Sequence, residues 1–547
     1  MHIIIPMSGM GRRFQAFGIK DPKPLIKVDG EPLIKWLLSM FPRDAKFTFI
    51  CNTVHLSETP LKKELLKLCP KGQIVSIEPH HKGPVFAVAQ VFDTIGDNEE
   101  TIVNYCDFSC YWDYKAFIET IHARKAEGAI ACYRGFHPHM LGKTNYAFVK
   151  DTDQWMEAIQ EKQPFTDNRM NEFASSGTYY FRKGSYVKKY FQQALDRDLK
   201  VNDEFYISLV YNLLVEEKLK VFIYEIQHML QWGEPLDLLE YQRWSDYFAS
   251  MTKPQPRLDL SKDTAMLMPM AGAGKRFADE GYQEPKPLIP VGGHPMVVQA
   301  CRYLPQASNQ IFVCRAEHLK NYSIEKNILE HYPKAQIISL DQVTQGQACT
   351  CEVGLKGVAE DVPLLIGACD NGMLWDERKL EKLIEDRNVD GIIFTFRRYP
   401  TSVRNPQMYG WVKVDGEDNV LGLSVKKPIS DDPYHDHAVI GSFYFRKTKF
   451  FLEGLKSLYK HNRRINNEFY VDSLMGELVS LGYKLKVFEV EHYLCWGTPN
   501  DYRTYEYWQS FFHKCDWHPY KLADDWSVNP KAIASLEKRF FDFKHRQ

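Results

Sequence analysis

The chain has 547 residues, which is more than one hydrophobic core usually organises, so two or more domains are expected. Hydrophobic residues make up 44% and charged residues 25%, a balance that is typical of globular proteins and excludes an extended disordered or collagen-like chain. The 69 Lys and Arg residues nearly balance the 70 Asp and Glu residues, so the net charge of -1 does not favour nucleic acid or an acidic membrane surface as a partner.

The first residues do not resemble a secretion signal, because the apolar run between Met1 and Met7 is short and is followed by basic residues. No apolar stretch approaches the roughly 20 residues that span a bilayer. The twelve cysteines are scattered, and no close pair recurs at the spacing of a zinc site. We therefore expect a cytoplasmic protein with reduced thiols and without membrane insertion.

Short apolar runs alternate with helical patterns along the first half of the chain. The strand candidates are residues 3–5, 47–50 and 129–132, and a helical pattern covers residues 32–40. The second half offers residues 267–268, 310–313 and 392–396 as strands. This alternation predicts an α/β fold in which a mainly parallel sheet is flanked by helices on both faces. Ligands of such sheets lie beyond the carboxyl ends of the strands.

The chain contains an internal repeat. Residues 7–14 recur as residues 270–277, a shift of 263 that becomes 264 after one residue is inserted beyond Tyr409. We predict two tandem Rossmann-like domains. Domain 1 covers residues 1–250, a proline-containing linker covers 251–262, domain 2 covers 263–513 and a C-terminal extension covers 514–547.

The first strand of each copy ends in a Gly-x-Gly turn followed by basic residues, where backbone amides can bind phosphate oxygens. The turn is not a dinucleotide-binding fingerprint, because Phe14 or Phe277 stands where the third glycine is required. It is not a Walker loop either, since Arg276 follows Lys275 where Ser or Thr should bind magnesium.

The same spacing of chemical groups follows the turn in both copies. Lys23 lies twelve residues after Gly11, Lys286 lies twelve after Gly274, and an aspartate follows a later strand. The second copy continues through a fixed order of segments, namely residues 270–278, 285–291, 345–347, 369–371, 427–428, 467–470 and 496–499. This order resembles the sugar-phosphate nucleotidyltransferases, especially the branch linked to capsule and surface-polysaccharide synthesis, and it covers most of both halves.

The resemblance implies a role for each matching residue. The catalytic residues would be Arg13, Lys23, Arg276 and Lys286. Nucleotide binding would involve Met7, Gly9, Gly11, Arg12, Gly83, Met270, Gly272, Gly274, Lys275, Gln345 and Gly346. The acceptor would be bound by Lys162, Gly177, Glu204, Lys426, Lys427, Gly441 and Glu468. Asp107 and Asp370 would hold Mg²⁺, a cation that prefers oxygen ligands.

The activity implied by the resemblance is Mg²⁺-dependent transfer of a nucleotidyl group from a nucleoside triphosphate to a sugar phosphate or similar metabolite. Pyrophosphate is released, and the product would serve polysaccharide precursor synthesis. Lysine and arginine are needed because two polyanions must approach each other in line. The partners would be the two small substrates, with no nucleic acid, and the two domains would pack as a pseudo-dimer.

Both copies depart from the family pattern. The acidic second metal ligand expected two residues before the late glycine is replaced by Gln231 and Cys495, which leaves Glu225 and Glu489 as nearby candidates. The first copy also has Phe108, Ala147 and Gln163 where the second has Asn371, Gly410 and Lys427. We expect the second half to be the more orthodox transferase, with both halves keeping the main groups.

Two alternatives remain open on the sequence. A nucleotide-sugar-dependent glycosyltransferase would use an Asp-x-Asp element, for which residues 151–153 are the candidate, although the second copy has no equivalent. One copy could instead be a non-catalytic binding or regulatory module beside a catalytic one. His80 and His81 occur only in the first copy and are interpreted as surface residues, since no third metal ligand accompanies them.

Overall fold

A computed structural model of the protein describes residues 1–542, and residues 543–547 of the predicted C-terminal extension lie outside the described part. The contacts divide the chain into unit 1, Met1–Asp246, and unit 2, Tyr247–Phe541. The division falls within one helix, a few residues before the predicted linker 251–262, and the predicted domain limits stay a prediction.

Unit 1 alternates strands and helices along the chain. Its strands are β1 (His2–Met7), β2 (Lys27–Val28), β3 (Glu31–Pro32), β4 (Lys46–Asn52), β5 (Gln73–Ile77), β6 (Thr101–Asn104), β7 (Phe108–Tyr111), β8 (Gly128–Tyr133), β9 (Ala147–Thr152), β10 (Trp155–Glu161), β11 (Phe173–Phe181), β12 (Val221–Glu225) and β13 (His228–Gln231). Its helices are α1 (Arg12–Ala16), α2 (Leu33–Ser39), α3 (Thr53–Glu58), α4 (Leu61–Leu68), α5 (Pro84–Ala89), α6 (Tyr114–Ala123), α7 (Gly184–Asp196), α8 (Ile207–Glu216) and α9 (Pro235–Ser250), the last of which crosses the division.

The main sheet of unit 1 has the order β5-β4-β1-β6-β11-β8-β12-β10-β9. Strands β5, β4, β1 and β6 are parallel, as are β8 and β12. Strand β11 enters antiparallel between β6 and β8, and β10 pairs antiparallel with both β9 and β12. The predicted α/β class is confirmed, and the parallel block contains the strand that leads into the glycine turn.

Unit 2 repeats this succession of elements. Its strands are β14 (Ala265–Met270), β15 (Pro290–Val291), β16 (His294–Pro295), β17 (Asn309–Arg315), β18 (Gln336–Leu340), β19 (Leu364–Ile366), β20 (Asn371–Leu374), β21 (Gly391–Phe396), β22 (Gly410–Val414), β23 (Val420–Val425), β24 (His437–Phe445), β25 (Leu485–Glu489) and β26 (His492–Cys495). Its helices are α10 (Lys275–Asp279), α11 (Met296–Arg302), α12 (Ala316–Asn321), α13 (Ile324–His331), α14 (Gln347–Gly354), α15 (Glu377–Glu385), α16 (Pro400–Arg404), α17 (Thr448–Lys460), α18 (Val471–Ser480), α19 (Pro499–Lys514) and α20 (Ile533–Phe541).

The main sheet of unit 2 has the order β18-β17-β14-β19-β24-β21-β25, and β22 joins it through β24 and carries β23. The antiparallel strand β24 occupies the place that β11 has in unit 1. Each unit also has a two-stranded sheet next to its late glycine, β7 with β13 in unit 1 and β20 with β26 in unit 2. The repeat seen in the sequence is therefore a repeat of topology.

The first strand of each unit is buried on both faces, which explains its uninterrupted apolar sequence. Ile3 and Ile5 belong to one hydrophobic cluster, whereas Ile4 belongs to the cluster on the opposite face of the sheet. Met268 and Leu267 divide in the same way in unit 2. Complete burial of one such side chain contributes about 2 to 3 kcal/mol to the free energy of unfolding. The strands that position the turns are thus firmly anchored in each unit.

None of the helices in the described part of the chain is both long and apolar enough to cross a membrane.

Candidate functional site

A cleft of about 400 Å³ opens at the carboxyl ends of β1 and β6 in unit 1. This is the edge of the sheet at which ligands were expected. The structure brings to this cleft every site residue predicted in the first copy, namely Met7, Gly9, Gly11, Arg12, Arg13, Lys23, Gly83, Asp107, Lys162, Gly177 and Glu204. Their individual roles stay predictions, but their convergence on one cavity is a structural fact.

A lysine, an aspartate and the late glycine meet in the same way in both units. Lys23 Nζ lies 2.8 Å from Asp107 Oδ2 and donates to the carbonyl oxygen of Gly233 at 3.2 Å. In unit 2 Lys286 Nζ lies 2.5 Å from Asp370 Oδ2 and 2.9 Å from the carbonyl oxygen of Gly497. The lysine is therefore held in place before any ligand binds.

The lysine of unit 2 keeps its charge although it is largely enclosed by protein. Burial on its own would lower the pKa of Lys286, but the Asp370 carboxylate outweighs burial and the pKa is raised. Its side chain is 18% exposed, and that of Asp370 is 29% exposed. The pair thus places a fixed cation at the rim of the site.

The glycine turns have a backbone that other residues adopt with difficulty. Gly11 has a φ of +67° and precedes α1, and Gly274 has a φ of +61° and precedes α10. Because a left-handed residue turns the chain sharply, Arg12 and Lys275 begin their short helices directly after it. Lys23 and Lys286 each begin a 3₁₀ turn between two prolines. Local sequence therefore positions the basic groups.

The arginine after the turn differs between the units. In unit 1 Arg13 forms an ion pair with Glu234, which also lies 3.4 Å from Asn145 Nδ2. At the position of Glu234, unit 2 has Thr498, whose hydroxyl donates to Asp501. In unit 1 an acidic side chain is thus paired with the arginine that is predicted to bind the triphosphate, whereas the equivalent position of unit 2 is not acidic. The expectation that unit 2 is the more orthodox half stays a prediction.

A second glycine loop joins the predicted nucleotide and acceptor residues. The Phe205 amide donates to the carbonyl oxygen of Lys82, and the Phe469 amide donates to that of Gln345, both at 2.9 Å. A Cβ on Gly83 or Gly346 would lie 2.7 Å or 2.5 Å from the amide nitrogen of the phenylalanine. Only glycine permits this approach, which brings Glu204 and Glu468 beside the loop.

The acceptor residues of unit 1 form a chain of hydrogen bonds. Lys162 Nζ donates to the Tyr206 hydroxyl at 2.6 Å, and that hydroxyl donates to Glu204. Gly177 has a φ of +102° and accepts from the Tyr105 amide at 3.0 Å. These contacts place a cation and a carboxylate side by side at one end of the cleft.

The corresponding residues of unit 2 are arranged less tightly. Lys426 Nζ donates to the carbonyl oxygen of Met408 at 2.7 Å. Burial of this side chain lowers the pKa of Lys426. Gly441 has a φ of +99°, close to the +102° of Gly177 in unit 1. Lys427 is exposed to solvent, whereas Glu468 lies against Tyr470. Lys426 is thus the better placed of the two predicted acceptor lysines.

The additional metal ligands considered on the sequence are both paired with arginines. Glu225 pairs with Arg134 at 3.1 Å, and Glu489 pairs with Arg397, at the ends of β12 and β25. Glu225 does not line the cleft of unit 1, and a metal role for either glutamate stays a prediction. Within residues 1–542 no cluster of three or more His, Cys, Asp or Glu side chains is arranged to hold a metal ion.

Several residues that line the cleft were not assigned to the site from the sequence. His80 was interpreted as a surface residue, but the structure places it in the cleft, with Nε2 3.2 Å from Ser8 Oγ. Burial lowers the pKa of His80. His81 Nε2 lies 2.9 Å from Arg12 Nη2. Adjacent histidines that follow a strand were the available signal, since such residues lie at the ligand edge of the sheet.

Glu161 is a buried carboxyl that the sequence also left unnoticed. It precedes Lys162, lines the cleft and accepts a hydrogen bond from Ser208 Oγ at 2.6 Å. Burial raises the pKa of Glu161 from the ordinary value of 4.5 to about 7. The carboxyl is therefore largely protonated at mildly acidic pH.

We expect the stability of unit 1 to fall as pH rises from about 4.5 to about 7, because the unfolded chain releases the Glu161 proton first. The full change is on the order of 3 kcal/mol. Glu161→Gln keeps an acceptor for Ser208 but removes the charge, so it should stabilise unit 1 at about pH 8 and have little effect near pH 4. Hydrogen exchange of β10 and α8 measures this difference, and an equal effect at both pH values would contradict it.

The sequence model of the family described as "Nucleotidyl transferase" matches residues 3–246 and 265–480. No curated protein matches the chain.

Three solved structures illustrate the structural likeness. A nucleoside-diphosphate-sugar pyrophosphorylase from Vibrio cholerae RC9 is 20% identical, covers 44% of this chain and 98% of its own, and has a TM-score of 0.35. The inositol-1-phosphate CTP transferase from T. maritima is 14% identical, with coverages of 46% and 98% and a TM-score of 0.36. A UDP-glucose pyrophosphorylase from Acinetobacter baumannii is 15% identical, with coverages of 46% and 93% and a TM-score of 0.34. Each covers less than half of this chain, whereas the family match extends over both units.

Proposed function

The chain belongs to the nucleotidyl transferase family, and we propose that both of its units transfer a nucleotidyl group from a nucleoside triphosphate to a phosphorylated small molecule. A phosphate oxygen of the acceptor attacks the α-phosphorus and forms the new P–O bond. The bond from the α-phosphorus to the bridging oxygen of the β-phosphate breaks, and that oxygen leaves with pyrophosphate.

The observation that carries the proposal is the repeated arrangement of lysine, aspartate and glycine. Lys23 and Lys286 are held by a carboxylate and a carbonyl oxygen in two units that differ at many other positions. A preorganised cation stabilises negative charge that grows around the α-phosphate without a cost of reorganisation.

The remaining residues bind and orient the substrates. The glycine turn and Arg13 or Arg276 hold the triphosphate, and Lys162 or Lys426 holds the acceptor phosphate. Glu204 and Glu468 accept hydrogen bonds from the acceptor. This division brings the two polyanions together around one preorganised lysine, Lys23 or Lys286, which favours an in-line approach.

The donor set fits Mg²⁺ in the form in which one protein carboxylate and substrate phosphates share the ion. Asp107 and Asp370 are the residues that would hold it, since each is partly exposed and faces the lysine of its site. When bound, Mg²⁺ would neutralise phosphate charge and help to align the triphosphate. Gln231 and Cys495 leave the family's second carboxylate position without an acid, so the protein part of the site is limited to one aspartate in each unit.

The competing glycosyltransferase interpretation has no support in the site. Asp151 and Asp153 lie at the turn between β9 and β10, where Asp151 accepts from the Gln154 amide at 3.0 Å. Neither lines the cleft. A sugar phosphate as acceptor, a role in polysaccharide precursor synthesis and a cytoplasmic location remain predictions that follow from the family resemblance.

Pyrophosphate release over a matrix of nucleoside triphosphates and phosphorylated acceptors tests the proposal. We expect release that requires both substrates and a divalent cation. Transfer from a supplied nucleotide sugar without use of a triphosphate would favour the glycosyltransferase, and the absence of release with every pair would refute nucleotidyl transfer.

A further inference from the structure

Three positions form one cluster beside the acceptor lysine of unit 1. Ala147 on β9 lies opposite Glu161 on β10, and Ser208 on α8 donates to the Glu161 carboxylate at 2.6 Å. Ala147 and Glu161 both line the cleft, next to Lys162. The carboxyl of this cluster therefore comes from a strand and faces the cavity.

The equivalent cluster of unit 2 consists of Gly410 on β22, Val425 on β23 and Asp472 on α18. Gly410 lies opposite Val425, as Ala147 lies opposite Glu161. The backbone confirms the correspondence, because the amide of Lys162 donates to the carbonyl oxygen of Tyr146 and that of Lys426 to Tyr409. The acid at the strand position is replaced by valine, and an acid appears at the helix position instead.

The three exchanges depend on one another sterically. A Cβ on Gly410 would lie 2.2 Å from Asp472 Oδ2, so the alanine of unit 1 requires this aspartate side chain to move away. Ser208 is short and leaves room for Ala147 in unit 1. Two acids in one cluster would also repel each other. Each unit thus keeps a single carboxyl but delivers it from a different side.

A carboxyl in this place needs a partner. Burial raises the pKa of Asp472 to about 6, while the Lys426 ammonium opposes the rise. A buried carboxylate is costly unless hydrogen-bond donors satisfy it, and a ligand held by the neighbouring Lys426 can supply them. Hydroxyl groups of a phosphorylated polyol are donors of the right size beside a phosphate held by the lysine.

We propose that Asp472 contacts the acceptor in unit 2 and determines which acceptor that unit uses. In unit 1 the Glu161 carboxyl has the same role from the opposite side. This inference rests on the proposed nucleotidyl transfer. Since the carboxyls come from a helix in one unit and a strand in the other, the two units prefer phosphorylated polyols whose hydroxyl groups point in different directions. One chain would then activate two different acceptors.

The test uses the full chain with Lys23→Ala, so that only unit 2 turns over. Its acceptors are hexose 1-phosphates that differ at single hydroxyl groups, and inositol 1-phosphate. Asp472→Asn should lower kcat/KM for the preferred acceptor by about tenfold to a hundredfold, because a charge-assisted hydrogen bond is lost. The KM for the triphosphate should stay unchanged. Asp361→Asn, an exposed substitution in the loop before β19, is the matched control.

The triple variant Gly410→Ala, Val425→Glu and Asp472→Ser rebuilds the unit 1 cluster in unit 2. We expect its acceptor preference to shift toward that of unit 1. The preference of unit 1 is measured separately in a Lys286→Ala chain, in which only unit 1 turns over. An unchanged preference in both Asp472→Asn and the triple variant, with normal wild-type turnover, would overturn the inference and leave the proposed function intact. Absence of turnover in the wild-type chain would instead refute the proposed function. Asp472→Asn preserves shape and decides the matter if the triple variant does not fold.

Discussion

Replacing Lys286 with alanine is expected to lower kcat for pyrophosphate release by unit 2 by about a hundredfold to a thousandfold. The Nζ atom lies between Asp370 and the Gly497 carbonyl oxygen, so it is fixed before the transition state forms. Its loss removes the cation that faces the growing negative charge and leaves Asp370 to repel the triphosphate. Lys23→Ala should have the same effect on unit 1, and the double variant should release no pyrophosphate above background.

Measuring the two single variants separately assigns each substrate pair to a unit. Lys379→Ala and Lys35→Ala are the matched controls, because these lysines form exposed ion pairs with Asp376 and Glu31. Exposed pairs of this kind contribute about 1 kcal/mol or less. If Lys286→Ala retained the wild-type rate in a Lys23→Ala chain, the proposed role of the lysine would be wrong. If only one of the two lysine variants lost activity in every assay, the unit that carries the other lysine would be a non-catalytic copy.

Gly346→Ala is expected to reduce kcat/KM of unit 2 by at least about a hundredfold, with the fold retained. Gly346 has a φ of +131° and a ψ of 175°, a conformation that essentially only glycine adopts. The added methyl group would also meet the Phe469 amide nitrogen at 2.5 Å. The loop must then move away from Phe469, and Glu468 moves with it. Displacement of binding groups by about 1 Å is enough for a loss of this size.

Gly416→Ala is the control for this substitution, because a Cβ there meets nothing within 4 Å. Steady-state kinetics and a thermal melt of both variants separate a local effect from general destabilisation. Wild-type kcat/KM in Gly346→Ala would show that the loop tolerates a side chain and that its contact with Phe469 does not position the acceptor residues. A melting temperature lowered equally by both variants would also contradict the local explanation.

The convergence of Lys23, Asp107 and the glycine turn could be predicted from the sequence. Their spacing occurs twice, and the carboxyl ends of parallel strands meet at one edge of a sheet. The antiparallel direction of β11 could not be predicted, since an apolar strand pairs in either direction with the same pattern.

Contacts that depend on long-range register were also beyond the sequence. Ser208 meets Glu161 across 47 residues, and the position of Gly410 against Asp472 follows from how α18 packs on β23, the strand paired with β22. Glu225 is a further example, because its nearness along the chain to the late glycine did not bring it into the cleft. The local motifs were therefore readable, whereas the residues that distinguish the two units were not.

The contact of Lys23 with the Gly233 carbonyl oxygen spans 210 residues, and that of Lys286 with Gly497 spans 211. Each site thus joins the beginning of its unit to the end. During synthesis the glycine turn emerges early, but its lysine has no carbonyl partner until almost the whole unit has been translated. A chain that stops before residue 233 would contain the glycine turn and still lack the carbonyl partner of Lys23. The order of translation therefore lets this contact of unit 1 form while unit 2 is still being made.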